Sequence, residues 1–317
     1  MTRWQIDEAS AGQRLDKIVS VYLGIGMGEA RRLIAAGDVF VDARRAQKGN
    51  TVPLGAWVEV RVELHVDVEG GVMKRAPVPD HEVFLDIVFE DDAIFAVNKP
   101  AGRPSHPLTP GERGTVANSI VAQRPACGEA SEDPREGGLV HRLDRYTTGV
   151  LIAAKTRAAW TSMRQAFSNG DVNKTYWALV HGVPEVGREG VLIIDAPLVT
   201  RRGSAVVDRV APDALPARTE VRVLVIGSGY ALVEAKAHSG RLHQVRAHLA
   251  SLGHSLVGDD RYGALKVSGV PRSEPLLHAL ALTLPHPVDS WRVGIAAPVP
   301  PTRRALMERL LGVALPE

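Results

Sequence analysis

Apolar residues recur at helical spacing in QRLDKIVSVYL, where Leu15, Ile18, Val19 and Leu23 share one side of a helix. Glu29 to Ala36 continues with a second short helical pattern that Gly37 closes. The rhythm then changes to period two. DVFVDARRAQKGNTVPLGAWVEVRVEL alternates apolar and polar positions, with turn chemistry at Lys48-Gly49-Asn50 and Pro53-Leu54-Gly55. This order predicts a helix–helix–strand unit over about residues 12–64. Between about Val66 and His81 the sequence mixes Gly, Pro and charge without a sustained period, as linkers do. From Val83 onward strand-like runs dominate: IFAVNKP, GVLIAAK, TYWALVHG, EVRVLVIG and YALVEAK. Helical patterns interrupt them at Arg157 to Phe167 and at Arg241 to Leu252, so this part reads as mixed α and β around a substantial sheet. The proline-rich PHPV and APVPPT near the C-terminus read as edge or loop material, and no internal repeat is visible.

The chain has 317 residues, more than one core comfortably serves, and at roughly 150 residues per domain two domains are expected. Boundaries are placed at residues 1–65, a linker over 66–81, and 82–317. With 45% hydrophobic and 23% charged residues the chain lies far from the compositions of disorder. Cys127 is the only cysteine, which excludes an intramolecular disulfide, a zinc ribbon and a cysteine-held cluster. The start, MTRWQIDEAS, lacks the order of a secretory signal, and no apolar run approaches the roughly 20 residues of a membrane span. A cytoplasmic protein with no membrane contact is expected.

Net charge is only +2 and the pI about 8.7, so the global field argues weakly for a polyanionic partner. Local segments argue more strongly. Lys236 to His248 holds Lys236, Arg241, Arg246 and three histidines without an acid. In His141 to Arg157, Arg142, Arg145, Lys155 and Arg157 surround the single carboxylate of Asp144. That carboxylate follows the apolar Leu139-Val140 and precedes the polar turn Tyr146-Thr147-Thr148-Gly149. It is thereby expected at a strand-to-loop junction, a rigid mount for a reactive group. A turn-capping or surface-paired aspartate fits the same local pattern.

HRLDRYTTG resembles the HRLDxxTSG signature of the RluA-type family of pseudouridine synthases, in which the aspartate is catalytic. VFEDDAIFAVNKPAGRPSHP resembles the first motif of that family, KTYWALVHG its KxYxAxVxG stretch, and GRLHQVRAHLASLGHSLVGDDRYG its GRxHQIRxHLxxxGHPxxGDxxYG. The four segments keep the family order and span about residues 86–287. Thr148 stands where Ser is commoner, Tyr146 where the family varies, and His238-Ser239 where a Thr usually precedes Gly-Arg.

The resemblance implies an α+β catalytic domain with a large mixed, mainly antiparallel sheet, and no cofactor. It implies that Asp144 carries the chemistry, that Arg246 pairs with it, that Tyr176 packs against the target base, and that Arg142 helps hold the RNA open. From the helical stripe of Leu242, Val245, Leu249 and Leu252 alone, Arg241 and Arg246 would both flank the buried face. His141, Arg241 and His243 are further candidate RNA contacts. The N-terminal segment resembles an S4 RNA-binding domain throughout, with Arg14, Lys17, Arg31, Arg32, Arg44, Arg45 and Lys48 as candidate phosphate contacts. Gly24, Gly26 and Gly28 fit a turn between its helices rather than a nucleotide loop.

Pseudouridine formation breaks the bond from ribose C1′ to uracil N1 and rebuilds one to C5. The reaction needs one ionised carboxylate as nucleophile or base, and water must be kept out. A cation beside the carboxylate must offset its desolvation. The implied partner is structured RNA, with large-subunit ribosomal RNA as the expected substrate, transfer RNA as the alternative, and a monomer as the expected state. A non-catalytic RNA-binding or assembly protein would keep the same fold. A glycosidase would need a second acid beside Asp144. His238, His243 and His248 recur every five residues, about 140° apart on a helix, so no metal site is expected of them.

Overall fold

In the N-terminal part, Ile18, Val19 and Leu23 of α1 (Leu15–Leu23) and Ala30 and Ile34 of α2 (Met27–Ala36) pack on Val39, Val58 and Val60 of a small sheet. Its strands are β1 (Thr2–Gln5), β2 (Val39–Val41), β3 (Arg44–Arg45) and β4 (Trp57–Val60), in the order β1-β4-β2-β3. β1 lies in the segment read only as a polar start; four residues offer too few alternations for the pattern to register. Asp42 and Ala43, at φ 47° and 64°, form the two-residue turn that joins β2 to β3. Gly28 sits inside α2 rather than in a turn.

The computed structural model describes residues 2–23, 27–47, 49–61, 76–82, 84–109, 111–186, 190–289 and 291–316. Lys48, Gly24, Gly26 and residues 66–75 of the expected linker lie outside the described residues. The chain divides into two units, residues 1–74 and 75–317. Part of the segment expected to be a linker is bonded into the second unit: Asn118 Nδ2 donates to Val78 O at 2.8 Å, and Gly114 N to Asp80 Oδ2 at 3.2 Å.

The second unit contains β5 (Asp86–Glu90), β6 (Ile94–Lys99), α3 (Val116–Gln123), α4 (Cys127–Ala130), β7 (Thr148–Ala154), α5 (Arg157–Asn169) and β8 (Asn173–His181). There follow β9 (Leu192–Asp195), β10 (Leu198–Arg201), β11 (Ser204–Val207), β12 (Arg218–Gly227), β13 (Tyr230–Ala237), α6 (Gln244–Ser251), β14 (Leu277–Pro285), β15 (Arg292–Ala296) and α7 (Pro301–Leu311). Among the described residues one sheet runs β5-β6-β7-β14-β8-β13-β12-β9, with β15 on β14, and only the β14–β7 pair is parallel. β10 and β11 form a separate hairpin. Ile94–Val97 of β6 and Val150–Ala154 of β7 are continuous apolar runs because both faces are covered. α5 packs Trp160 and Met163 on Val150 and Ile152 on one side, and α3 packs Val116 and Ile120 on Phe95 and Leu151 on the other.

At the start of β7, Gly149 has φ 111°, and a Cβ there would lie 2.1 Å from Ala279 O. Only glycine lets β14 come alongside β7 at this point. Two expectations shift. The helix read over Arg241 to Leu252 starts at Gln244, because His243 takes a left-handed φ of 50°. The stripe loses Leu242, which precedes the helix, and Leu252, its C-cap, both exposed, and keeps Val245 and Leu249. APVPPT is not loop throughout: Pro301 begins α7, where a missing N–H costs nothing.

Candidate active site

Leu139 makes a single bridge to Ala153, after which the chain leaves the sheet, so Asp144 stands on a loop rather than at the end of a regular strand. The loop is nevertheless fixed at every carbonyl from residue 143 to 147. Ser105 Oγ donates to Leu143 O at 2.9 Å, and Thr147 N to Asp144 O at 3.1 Å. Lys99 Nζ donates to Arg145 O at 2.8 Å and to Thr147 O at 2.9 Å, and Arg303 Nη2 to Tyr146 O at 3.0 Å. A third bond from Lys99 reaches Pro100 O at 2.9 Å. Lys99 is fully buried; burial, with Arg303 nearby, pushes its pKa down to about 7. Three carbonyl oxygens around Nζ match the three N–H donors of the ammonium form. Lys99, Ser105 and Arg303 were absent from the sequence-based candidates. Only Lys99 left a trace there, as the one charge closing an apolar strand.

Arg246, in α6, donates from Nη1 to Asp144 Oδ2 at 2.7 Å. Its other edge is held by Asp259, from Nε to Oδ2 at 2.6 Å and from Nη2 to Oδ1 at 2.8 Å. The guanidinium is 7% exposed, Asp259 is fully enclosed and Asp144 is 26% exposed. Burial works against the charge of Arg246, but Asp259 and Asp144 overcome it and raise its pKa above the ordinary arginine value. Arg246 is thus anchored by a buried carboxylate and offers its remaining nitrogen to a partly open one. Tyr262 lies against it, with the guanidinium carbon 5.1 Å from the ring centroid. Sequence reasoning passed over Asp259, although it is the first of the two aspartates in the GDDRYG stretch.

A cleft of about 910 Å³ opens over Asp144 and is also lined by Arg142, Tyr176, Arg241, His243 and Arg246. Tyr176 comes from β8 and is partly buried between two apolar clusters. Burial, reinforced by the Asp144 charge, pushes its phenol well above the usual range, so the ring is neutral. Arg142 is exposed beside Asp144, with no hydrogen-bond or ion-pair partner among the described residues. Arg241 is exposed at the rim, where its Nε donates to Pro216 O at 3.0 Å. Arg164, Lys174 and Arg218 add positive charge to the same cleft, against Asp195.

The histidines differ from expectation. His141 Nε2 accepts from Ile152 N at 3.2 Å and its ring stacks on Phe167, while burial pushes its pKa down to about 3. It is a neutral part of the cleft wall. His243 faces the carboxylate itself, with Nε2 3.6 Å from Asp144 Oδ1. His238, His243 and His248 do not share a helix: His238 follows β13 and pairs with Glu220, and only His248 lies within α6.

The N-terminal candidates belong to the other unit. Asp16 is buried and takes bonds from Arg14 Nη2 and Arg31 Nε, each at 2.8 Å, which sets both half-exposed arginines in place. Lys17, Arg32 and Arg44 are exposed, and Arg45 Nε donates to Gly37 O at 3.1 Å.

The chain matches the RNA pseudouridylate synthase family over residues 93–251. It is 30% identical to ribosomal large subunit pseudouridine synthase D of Vibrio vulnificus (strain CMCP6), across 96% of this chain and 93% of that one. It is 32% identical to ribosomal large subunit pseudouridine synthase C of Vibrio cholerae serotype O1 (strain ATCC 39315 / El Tor Inaba N16961), across 93% of this chain and 92% of that one. Its fold is similar to the solved structure of human RNA pseudouridylate synthase domain containing 1, with a TM-score of 0.55 and 26% identity over 74% of this chain and 97% of that one. With a match over half its length and relatives aligned nearly end to end, this chain belongs to the RNA pseudouridine synthases, isomerases that act on uridines in RNA.

Proposed function

We propose that this chain converts specific uridines of large-subunit ribosomal RNA to pseudouridine, with Asp144 as the catalytic carboxylate. One observation carries the reading of the site: the Asp144 carboxylate, anchored at 2.7 Å on a buried arginine, opens into a basic cleft of about 910 Å³. Arg246 stabilises the ionised form that must attack C1′ or remove a sugar proton once a base covers the site. The Tyr176 ring confines the detached uracil while leaving it free to turn in its own plane. Arg142, exposed and unpaired among the described residues, is placed to hold the strand from which the uridine is extruded. Arg241 at the rim and His243 on the cleft wall complete the RNA-facing surface.

A paired-carboxylate hydrolysis is disfavoured by Asp259. Both of its oxygens are taken by Arg246 and none of it is exposed, so it cannot serve as a second acid. The names of the curated relatives support the ribosomal substrate. Residues 1–65 act as an S4-like module that grips RNA through Arg14, Lys17, Arg31, Arg32, Arg44 and Arg45, and residues 82–317 as the catalytic domain. Exposed cations on the first unit support that division. The protein works as a cytoplasmic monomer; no helix among the described residues is long and apolar enough to cross a membrane.

The test is to map pseudouridines in RNA from cells lacking the protein, then restore wild type or Asp144→Asn. Loss of one or a few ribosomal sites, returned by wild type only, is expected. Missing sites in transfer RNA would overturn the ribosomal assignment, and rescue by Asp144→Asn would overturn the catalytic one.

A further inference from the structure

The second oxygen of the Asp144 carboxylate has a neighbour that the chemistry above does not use. Arg246 holds Oδ2, while Oδ1 faces the His243 ring, whose Nε2 lies 3.6 Å away. His243 occupies the N-cap of α6 at φ 50° and makes no side-chain cap bond there. Ser, Thr, Asp or Asn would cap the helix, and Gly or Asn would adopt that φ with less strain. The residue forgoes both local advantages, and its ring, 12% exposed, faces Asp144 instead.

Tyr262 holds the other ring nitrogen, and the Asp144 carboxylate selects the tautomer. The Tyr262 hydroxyl oxygen accepts from Ala205 N at 2.9 Å and lies 3.0 Å from His243 Nδ1. When the hydroxyl donates to Nδ1, the proton of a neutral imidazole sits on Nε2 and points toward Asp144 Oδ1. The other tautomer would set an Nε2 lone pair against a carboxylate oxygen, two acceptors face to face. Burial holds the His243 pKa below its ordinary value, against the pull of Asp144 and with help from Arg246 and Arg261, which keeps the ring neutral.

Resting on the assignment of Asp144 as the catalytic carboxylate, we propose that His243 is a positioning residue. Its Nε2–H, oriented by Tyr262, fixes the rotation of that carboxylate so that Oδ1 meets the ribose while Oδ2 stays on Arg246. A carboxylate held at one oxygen turns about its Cβ–Cγ bond, whereas two donors fix its plane. At 3.6 Å the contact is longer than a hydrogen bond and tightens when substrate fills the cleft.

His243→Gln, His243→Asn, Tyr262→Phe and Asp144→Asn in the full chain test this, with kcat and KM measured on one RNA substrate. Gln carries an amide N–H to about the position of imidazole Nε2 but tolerates the left-handed backbone poorly. Asn accepts that backbone, but its amide ends near the position of Nδ1, short of Asp144. A donor role therefore ranks Gln above Asn in kcat, with His243→Asn down by roughly tenfold to a hundredfold and KM within about twofold of wild type. Tyr262→Phe is expected between wild type and His243→Asn. A purely structural role ranks Asn above Gln in both thermal stability and kcat, and that order overturns the proposal. So does a rise in KM at unchanged kcat. Pseudouridine formation by Asp144→Asn would defeat the underlying assignment; an inert Asp144→Asn beside fully active His243→Asn would defeat only the role of His243.

Discussion

Arg246 meets two carboxylates of very different exposure, so removing either charge tests the electrostatic account of the site. Asp259 is fully enclosed and bonded to two guanidinium nitrogens, whereas Asp144 is 26% exposed and bonded to one. Breaking a buried ion pair by neutralising one partner costs about 3–5 kcal/mol, because the other charge is left uncompensated in a low-dielectric site. In Asp259→Asn the Asp144 charge still faces Arg246, which places the loss near the lower end, about 3 kcal/mol. For a unit the size of residues 75–317 that corresponds to a melting temperature lower by roughly 6–12 °C. Asp144→Asn leaves the bidentate Asp259 pair intact and removes a charge that water partly screens, so it should cost about 1 kcal/mol or less. Urea unfolding and thermal melts of the two variants beside wild type supply the comparison. Equal losses for both variants, or an Asp259→Asn protein within about 0.5 kcal/mol of wild type, would refute the assignment of Asp259 as the buried anchor.

Lys99→Met should lose on the order of 3 kcal/mol and most of the activity, since it strands buried carbonyls at Pro100, Arg145 and Thr147. Unfolding curves and a turnover assay check this, and a stable, active variant would show that the loop does not depend on the clamp. Glu90 pairs with Arg124 and Lys155, which lower its pKa from 4.5 to about 2. Its stabilising contribution is therefore complete above pH 4.5 and is lost as pH falls toward about 2, so the stability gap between wild type and Glu90→Gln should close over that window in acid unfolding experiments. A gap that stays constant with pH contradicts the ion-pair account. Arg32→Glu and Arg44→Glu should weaken RNA binding similarly across sequences, and neutralising either residue should reduce the salt slope of log K by about one. Filter binding across a salt series measures both effects, and an unchanged slope removes that residue from the RNA surface.

The chemistry of the site was legible where it was written locally. The resemblance carried by HRLDRYTTG and GRLHQVR pointed to Asp144 and Arg246, which the helical pattern alone left level with Arg241, and the structure brings those two side chains together at 2.7 Å. What holds those groups was not legible. Ser105, Lys99 and Arg303 reach the Asp144 loop from distant parts of the chain, and nothing in the proline-rich segment around Arg303 announces a buried clamp. The start of α6 was misplaced for the same reason. Periodicity carries the helix back to Arg241, whereas a tertiary contact of the His243 ring accompanies a backbone conformation that ends it. The large sheet was anticipated through β6, β7, β8, β12 and β13, whose apolar runs are long. The four-residue strands β9, β10 and β11 carry too few inward positions to stand out.

Moving the ribose bond from N1 to C5 expels the hydrogen on C5, so RNA labelled with tritium at uridine C5 reports the reaction without any other chemistry. With a large-subunit ribosomal transcript, the full-length wild-type chain should release tritium in proportion to the uridines modified. Asp144→Asn should bind the same RNA within a few-fold and release none. Tritium release by Asp144→Asn at a rate comparable with wild type would contradict the assignment of that carboxylate as the catalytic group.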